Sequence, residues 1–371
     1  MSKISPVTIS YDSLVSKDAG LSSQILEAFG SSPDSLGLLL VKDLPPSFPG
    51  LRKKLLLLSN QFASLPEEVR EKYTSPETSY SFGWSHGKEI MNGNPDTLKG
   101  SFYNNPSQDE TPGLKEGDAP TKNIWPQEKG IEGYEAAFKE LCNLMVEVGG
   151  LVAAACDQLV GSDKATTKSV EDLVRQSQAS KARLLHYFAR PGSVFSLPPS
   201  SSVSDETNEK IDDSWCGTHI DHSLLTVLCP SMYLFHPSGE QRTPLVIPSP
   251  SKSTGLFIKT RSGEIIQATI PENCLALQTG ETLELLTSKR LAATPHFVNA
   301  TASSLGPRAL QTIERKKEED ETWKEVENGT VTRETLAVFL QPNNDEVVSR
   351  EGETFGQFTE RVFKRHYEES K

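Results

Sequence analysis

Three residues of this chain could share one metal ion. His219 and Asp221 form a His-x-Asp pair inside Cys216-Gly-Thr-His-Ile-Asp-His-Ser-Leu-Leu-Thr-Val-Leu228, and His296 comes much later, in Leu291-Ala-Ala-Thr-Pro-His-Phe-Val298. Side chains two apart on a strand point to one face. The pair can therefore reach a single ion while a returning strand supplies His296 from the opposite side. Two imidazoles and one carboxylate on one face of an octahedral metal leave three positions open, the arrangement with which non-haem Fe(II) sites handle O2.

Such a trio needs strands to hold it. The apolar stretch Leu224 to Leu228, with Thr226 inside it and turn-prone Gly217 ahead of the pair, reads as a buried strand carrying polar groups inward. His222 belongs on the other face and reads as a supporting residue. A second signal is Arg333-Glu-Thr335, leading into Leu336-Ala-Val-Phe-Leu-Gln-Pro342, a β-type run closed by proline. Arg333 and Thr335 share a strand face, so a guanidinium and a hydroxyl can grip one carboxylate, and the planar fork of arginine suits that task. Arg308 lies nearer His296 in sequence. It is followed by Ala309 and Leu310, which offer no hydroxyl partner, so Arg333 is preferred.

His219-x-Asp221, Thr226, Gly255-Leu-Phe-Ile-Lys-Thr-Arg-Ser-Gly263, Thr279-Gly-Glu281, Pro295-His-Phe-Val298 and Arg333-x-Thr335 form an ordered succession. It resembles the isopenicillin N synthase-like branch of the Fe(II)/2-oxoglutarate-dependent dioxygenases. The resemblance implies a mainly β fold with flanking helices, built on a double-stranded β-helix (jelly-roll) core with a helical N-terminal region. It implies Fe(II) on His219, Asp221 and His296, and 2-oxoglutarate held at its distal carboxylate by Arg333 and Thr335. It also implies a cosubstrate contact from Tyr187, in Arg183-Leu-Leu-His-Tyr-Phe188, where Leu185 and Phe188 replace the Asn and Pro of the family's tyrosine motif. The activity implied is O2-dependent oxidation, by default hydroxylation, of a small molecule with release of succinate and CO2. Two rival readings are an iron oxidase that dispenses with 2-oxoglutarate and a catalytically silent jelly-roll binding protein. The Arg-x-Thr pair speaks against the first. An intact ligand trio, costly to bury without a metal, speaks against the second.

Composition narrows the partners. A net charge of −12 over 371 residues, with no basic stripe, argues against nucleic acid, whose phosphates reward Lys and Arg clusters. Cys142, Cys156, Cys216, Cys229 and Cys274 are odd in number and scattered, as expected of reduced core thiols. No apolar run approaches bilayer length and no basic-then-apolar leader opens the chain, so a cytoplasmic protein without a membrane segment is expected.

Along the chain, residues 1–130 read as an N-terminal region, 131–181 as a long packing helix and connector, 182–350 as the jelly-roll domain and 351–371 as a C-terminal helix. Leu21 to Phe29, Leu51 to Phe62 and Pro66 to Tyr73 look helical, with strands at Pro6 to Ile9 and Gly37 to Val41. From Ile131 to Leu159 apolar residues recur at helical spacing, and Gly149-Gly150 is a candidate kink. Residues 74–130, rich in Gly, Pro, Asn and Ser, read as loops, and the resemblance implies that they border the substrate mouth, which makes Trp84, His86 and Tyr103 candidate substrate contacts. Ser196 to Asp213 reads as a flexible loop. The mixed-charge stretch Thr301 to Thr332 reads as a solvated insertion, with a lid or partner surface as alternatives.

Overall fold

Strands from both halves of the chain build one large sheet, and the helical stripes of the first half pack on its outer face. The computed structural model describes residues 5–91, 94–111, 120–160, 166, 168–197, 216–239, 242–299, 302 and 304–368. The loop expected at 196–213 therefore lies, from 198 onward, outside the described residues.

Strands of three or more residues are β1 (Val7–Ser10), β2 (Leu38–Lys42), β3 (Gly83–His86), β4 (Lys99–Asn104), β5 (Lys181–Tyr187), β6 (Cys216–His219) and β7 (Leu225–Leu228). They continue as β8 (Met232–Pro237), β9 (Leu245–Ile247), β10 (Gly255–Lys259), β11 (Ile265–Ala268), β12 (Leu275–Thr279), β13 (His296–Asn299) and β14 (Asn328–Leu340). The helices are α1 (Tyr11–Ser16), α2 (Leu21–Phe29), α3 (Phe48–Ala63), α4 (Glu67–Arg70), α5 (Tyr134–Asp157), α6 (Val170–Arg175), α7 (Glu281–Leu286), α8 (Pro307–Glu319) and α9 (Phe355–Glu368). Among the described residues no helix is long and apolar enough to cross a membrane.

The major sheet runs β1-β2-β12-β7-β14-β5-β4-β3, with β8 along the first half of β14 and β9 beside β8. A smaller antiparallel sheet, β6-β13-β10-β11, faces it. Alternation along each strand sorts the side chains. On β2, Leu38 and Leu40 point between the sheets, where they join Leu185, Tyr187, Ala276 and Ala337 of the major sheet and Leu256, Ile258 and Val298 of the minor one. Leu39 and Val41 point outward into a larger core formed with α2, α3 and α5. Two sheets enclosing one apolar interior, with helices on the outer face of the larger, make the expected jelly roll with its helical N-terminal buttress.

Three expectations need correction. Residues 74–130 are not all loop: β3 and β4 complete the edge of the major sheet, β4 pairing with β5 from Lys99 opposite Tyr187 to Asn104 opposite Ala182. Likewise β1 and β2 pair into the same sheet, so the boundaries drawn at 130 and 181 mark changes of element type that the sheet itself crosses. Second, α5 runs unbroken through Gly149-Gly150. A Cβ at Gly149 would stand 2.2 Å from Leu340 Cδ1, so that glycine lets the helix lie close on the sheet and introduces no kink. Third, the 301–332 stretch is not simply a solvated face. Ala309 and Ile313 of α8 are buried against Phe195, Tyr233, Phe235 and Trp323. Val331, which packs on this cluster, shares a face of β14 with Arg333, so α8 stoppers the deep end of the barrel while its charged side faces water.

Candidate active site

The three candidate ligands converge between the sheets. One ligand atom from each of His219, Asp221 and His296 lies within 4.8 Å of the others, with His219 Nε2 3.6 Å and His296 Nε2 3.9 Å from Asp221 carboxylate oxygens. Their positioning differs from the simple strand picture. His219 and His296 are direct partners on adjacent strands, β6 and β13, rather than approaching from opposite sides. Asp221 stands beyond the end of β6, on the segment that crosses to β7 in the other sheet. That crossing is pinned by Glu281, whose amide donates to Asp221 O at 2.8 Å, and by Gly280, where a Cβ would meet Ser223 O at 2.1 Å. The Thr279-Gly-Glu281 turn thus clamps the segment that carries the carboxylate.

Hydrogen bonds orient the candidate ligands. His219 Nδ1 donates to Gly217 O at 2.7 Å and His296 Nδ1 to Thr294 O at 2.9 Å, which fixes both tautomers with the Nε2 lone pair turned inward. Thr226 Oγ1 donates to Asp221 Oδ2 at 2.5 Å. Burial by itself would push Asp221 up, but the two imidazoles and this hydroxyl hold its carboxyl below the usual range. Burial, with His219 beside it, pushes the His296 imidazole down. An ionised Asp221 carboxylate, a His296 imidazole biased toward its neutral form and a His219 ring whose Nδ1 donates to a carbonyl suit a divalent metal, so the residues fit one. His222 faces away toward Phe355, its ring centroid 6.4 Å from that residue's.

Arg333 lies on the interior face of β14, opposite Tyr187 of β5 and Tyr233 of β8. Its guanidinium sits 4.7 Å above the Tyr187 ring, with Tyr233 beside it on the neighbouring strand. Burial lowers the tendency of this group to hold its proton, yet the two tyrosines outweigh that and keep it charged. Its Nε and Nη1 are buried with no partner among the described residues. Donors left bare in a dry interior call for an anionic acceptor. Thr335 shares the face, but its hydroxyl donates to Cys229 O at 3.1 Å. Arg308, the competing guanidinium, is exposed on α8.

Two further residues escaped the sequence reading. Tyr233 was signalled only by the aromatic alternation of Tyr233 and Phe235 on one strand. Gln278 interrupts the apolar run Leu275-Ala-Leu of β12. It is 1 % exposed, stands beside Thr226 on the interior face, and has neither amide atom hydrogen-bonded among the described residues.

The proposed substrate contacts divide. Trp84 and His86 lie on the β3 face turned toward the helices: Trp84 is buried against Phe62 at a centroid distance of 5.3 Å, and His86 packs on Phe188 at 4.6 Å. The structure brings neither into the barrel, because pairing of Trp84 with Phe102 commits both to the outer core. Tyr103 pairs with Arg183 on the interior face and donates to Glu89 Oε1 at 2.8 Å. Arg183 grips the same carboxylate at 2.7 and 2.9 Å, and Lys99 pairs with Asp96 at 2.8 Å.

No family model matches the chain, and no curated protein matches it. Solved structures do. A Caulobacter crescentus protein described as of the 2OG-Fe(II) oxygenase family superposes with a TM-score of 0.62 at 18% identity, covering 98% of this chain and 100% of that one. A Neurospora crassa protein, solved at full length in complex with alpha-KG and thymine, gives 0.60 at 18% identity over 98% of each chain. The dioxygenase for auxin oxidation 1 of Arabidopsis thaliana, in its 2-oxoglutarate complex, gives 0.54 at 14% identity, covering 93% and 95%. At these identities the likeness is one of fold: this chain has the fold of the 2-oxoglutarate/Fe(II) oxygenases over essentially its whole length.

Proposed function

We propose that the chain is an Fe(II)- and 2-oxoglutarate-dependent dioxygenase that hydroxylates a small organic molecule and releases succinate and CO2. The observation that carries this reading is the buried Arg333 guanidinium, its Nε and Nη1 unpartnered among the described residues, in the same barrel as a His-Asp-His trio whose Nε2 and carboxylate atoms face one another. The ligands in the Neurospora and Arabidopsis complexes support the choice of cosubstrate. A cosubstrate-independent oxidase would have no use for such a guanidinium.

When bound, iron and 2-oxoglutarate supply the oxidising chemistry with O2 as oxidant, one oxygen atom entering succinate and the other the product. The chain supplies placement. His219, Asp221 and His296 would hold the metal, and Arg333 the distal carboxylate of the cosubstrate, its fork oriented by Tyr187 and Tyr233. Thr335, on the same face, would join that grip if its hydroxyl exchanged Cys229 O for the carboxylate. Gln278 offers an amide to a group held beside Asp221, and Leu38, Leu185 and Leu256 keep the cavity dry.

The test is an anaerobic titration with Fe(II) and then 2-oxoglutarate, following the weak visible charge-transfer band of the chelated cosubstrate. A band in the wild type that His296→Ala abolishes and Arg333→Ala weakens is expected. Iron binding without a band points to the oxidase, and no iron binding to a scaffold.

A further inference from the structure

One transverse row of interior-facing residues crosses the major sheet at the level of the metal ligands. Lys181 of β5 pairs with Phe339 of β14, Phe339 with Thr226 of β7, Thr226 with Gln278 of β12, and Gln278 with Leu38 of β2. Thr226 holds Asp221. Lys181 is therefore two strand spacings, roughly 10 Å, from the backbone that positions the carboxylate ligand. Along β5 the interior residues grade from half-buried Lys181 and Arg183 to buried Leu185 and Tyr187, so Lys181 stands at the open end and Arg333 at the deep end.

The cations on this face are not equivalent. Arg183 has Glu89, and Lys99 has Asp96. The Lys181 ammonium has no ion pair and no hydrogen bond among the described residues and meets only the Phe82 ring, at 6.0 Å. Burial pushes its pKa down, with no carboxylate to offset it. A half-buried ammonium is costly without a counter-charge, and a ring face returns only part of that cost. Among the described residues, Lys181 and Arg333 are thus interior cations without a carboxylate partner, one toward each end of the barrel.

We infer that Lys181 is the anion-recognising residue of the substrate pocket, and that the substrate is a small carboxylate whose acid group lies against Lys181 with its reacting carbon toward the metal ligands. The inference rests on the dioxygenase reading for the use of Arg333 and the metal site, which leaves Lys181 for the substrate.

Calorimetric titration of the full chain separates the two. With Mn(II) as a redox-silent metal, 2-oxoglutarate is titrated first; its failure to bind sinks the dioxygenase reading and leaves Lys181 still to be scored. A graded series of straight-chain and arylalkyl carboxylates is then compared with the corresponding neutral amides. The wild type is expected to prefer a carboxylate over its amide by roughly tenfold or more, the worth of one charge-assisted hydrogen bond. Lys181→Met, which keeps the apolar stem, should erase that preference without weakening 2-oxoglutarate or lowering the melting temperature, and Lys181→Arg should retain it. Equal affinity of the wild type for every acid and its amide overturns the inference, as does a preference that survives in Lys181→Met. Loss of 2-oxoglutarate binding in Lys181→Met would also overturn it, by moving the lysine to the cosubstrate.

Discussion

Arg333 and Glu334 are neighbours on β14, both buried and both charged in type, yet they face opposite sides of the sheet and live by opposite rules. On the helix side, Glu334 is 0 % exposed and accepts from His186 Nδ1 at 2.7 Å, Asn60 Nδ2 at 2.9 Å and Ser59 Oγ at 3.1 Å. His236 and Thr332 close the same network, and only the nearby Tyr134 hydroxyl stands without a partner among the described residues. On the barrel side, among the described residues, Arg333 keeps two nitrogens bare and Gln278 its whole amide. A satisfied polar cluster ties α3 to the sheet; an unsatisfied one costs stability, and is tolerable where a ligand completes it. Buried polarity alone marks neither structure nor function. The state of its hydrogen bonds does.

Substitutions can break that contrast. The largest effect is expected from His296→Ala, which should reduce metal affinity by more than the roughly 10–100-fold that loss of an outer partner costs in metal sites and bring turnover to background, as read by metal titration and succinate release. Glu334→Leu should destabilise the fold by about 3–5 kcal/mol by stranding His186 and Asn60, while the protein that folds still binds 2-oxoglutarate. A melting temperature unchanged in Glu334→Leu would show that the network is not structural. Arg333→Leu should do the reverse: cosubstrate affinity falls about a hundredfold, about 2–3 kcal/mol, with melting of the ligand-free protein unchanged or raised. Gln278→Leu sharpens the same point, since removing an unpartnered buried amide should raise ligand-free stability by about 1 kcal/mol while slowing turnover.

The smallest effect is set by pH. Burial raises the pKa of Glu89, but Arg183, Lys99 and the Tyr103 hydroxyl overcome this and lower it from 4.5 to about 2. A depressed carboxyl contributes stability that is present above pH 4.5 and lost as pH falls toward 2. The melting-temperature gap between wild type and Glu89→Gln should accordingly narrow between about pH 5 and about pH 2 and hold steady above it. A gap that widens on acidification would contradict the pairing of Arg183 with Glu89.

The chain's own spacing determined which residues can ligate and grip. His219-x-Asp221, Pro295-His296 and Arg333-x-Thr335 stand out because a strand places alternate residues on one face whatever it pairs with, and that rule needs no tertiary information. The helical stripes of α2, α3 and α5 were legible for the same reason. Tertiary pairing decided everything that depends on which face becomes the inside. Trp84 and His86 alternate as cleanly as any pocket residues, but the pairing of β3 with β4 turns them to the helices and leaves Tyr103 facing inward. Tyr233, Gln278 and Lys181 are inconspicuous in sequence and meaningful only because β8, β12 and β5 bring them to the same interior as the metal ligands. Local periodicity fixes the two faces of a strand; only the packing of one sheet on another decides which face will meet a ligand.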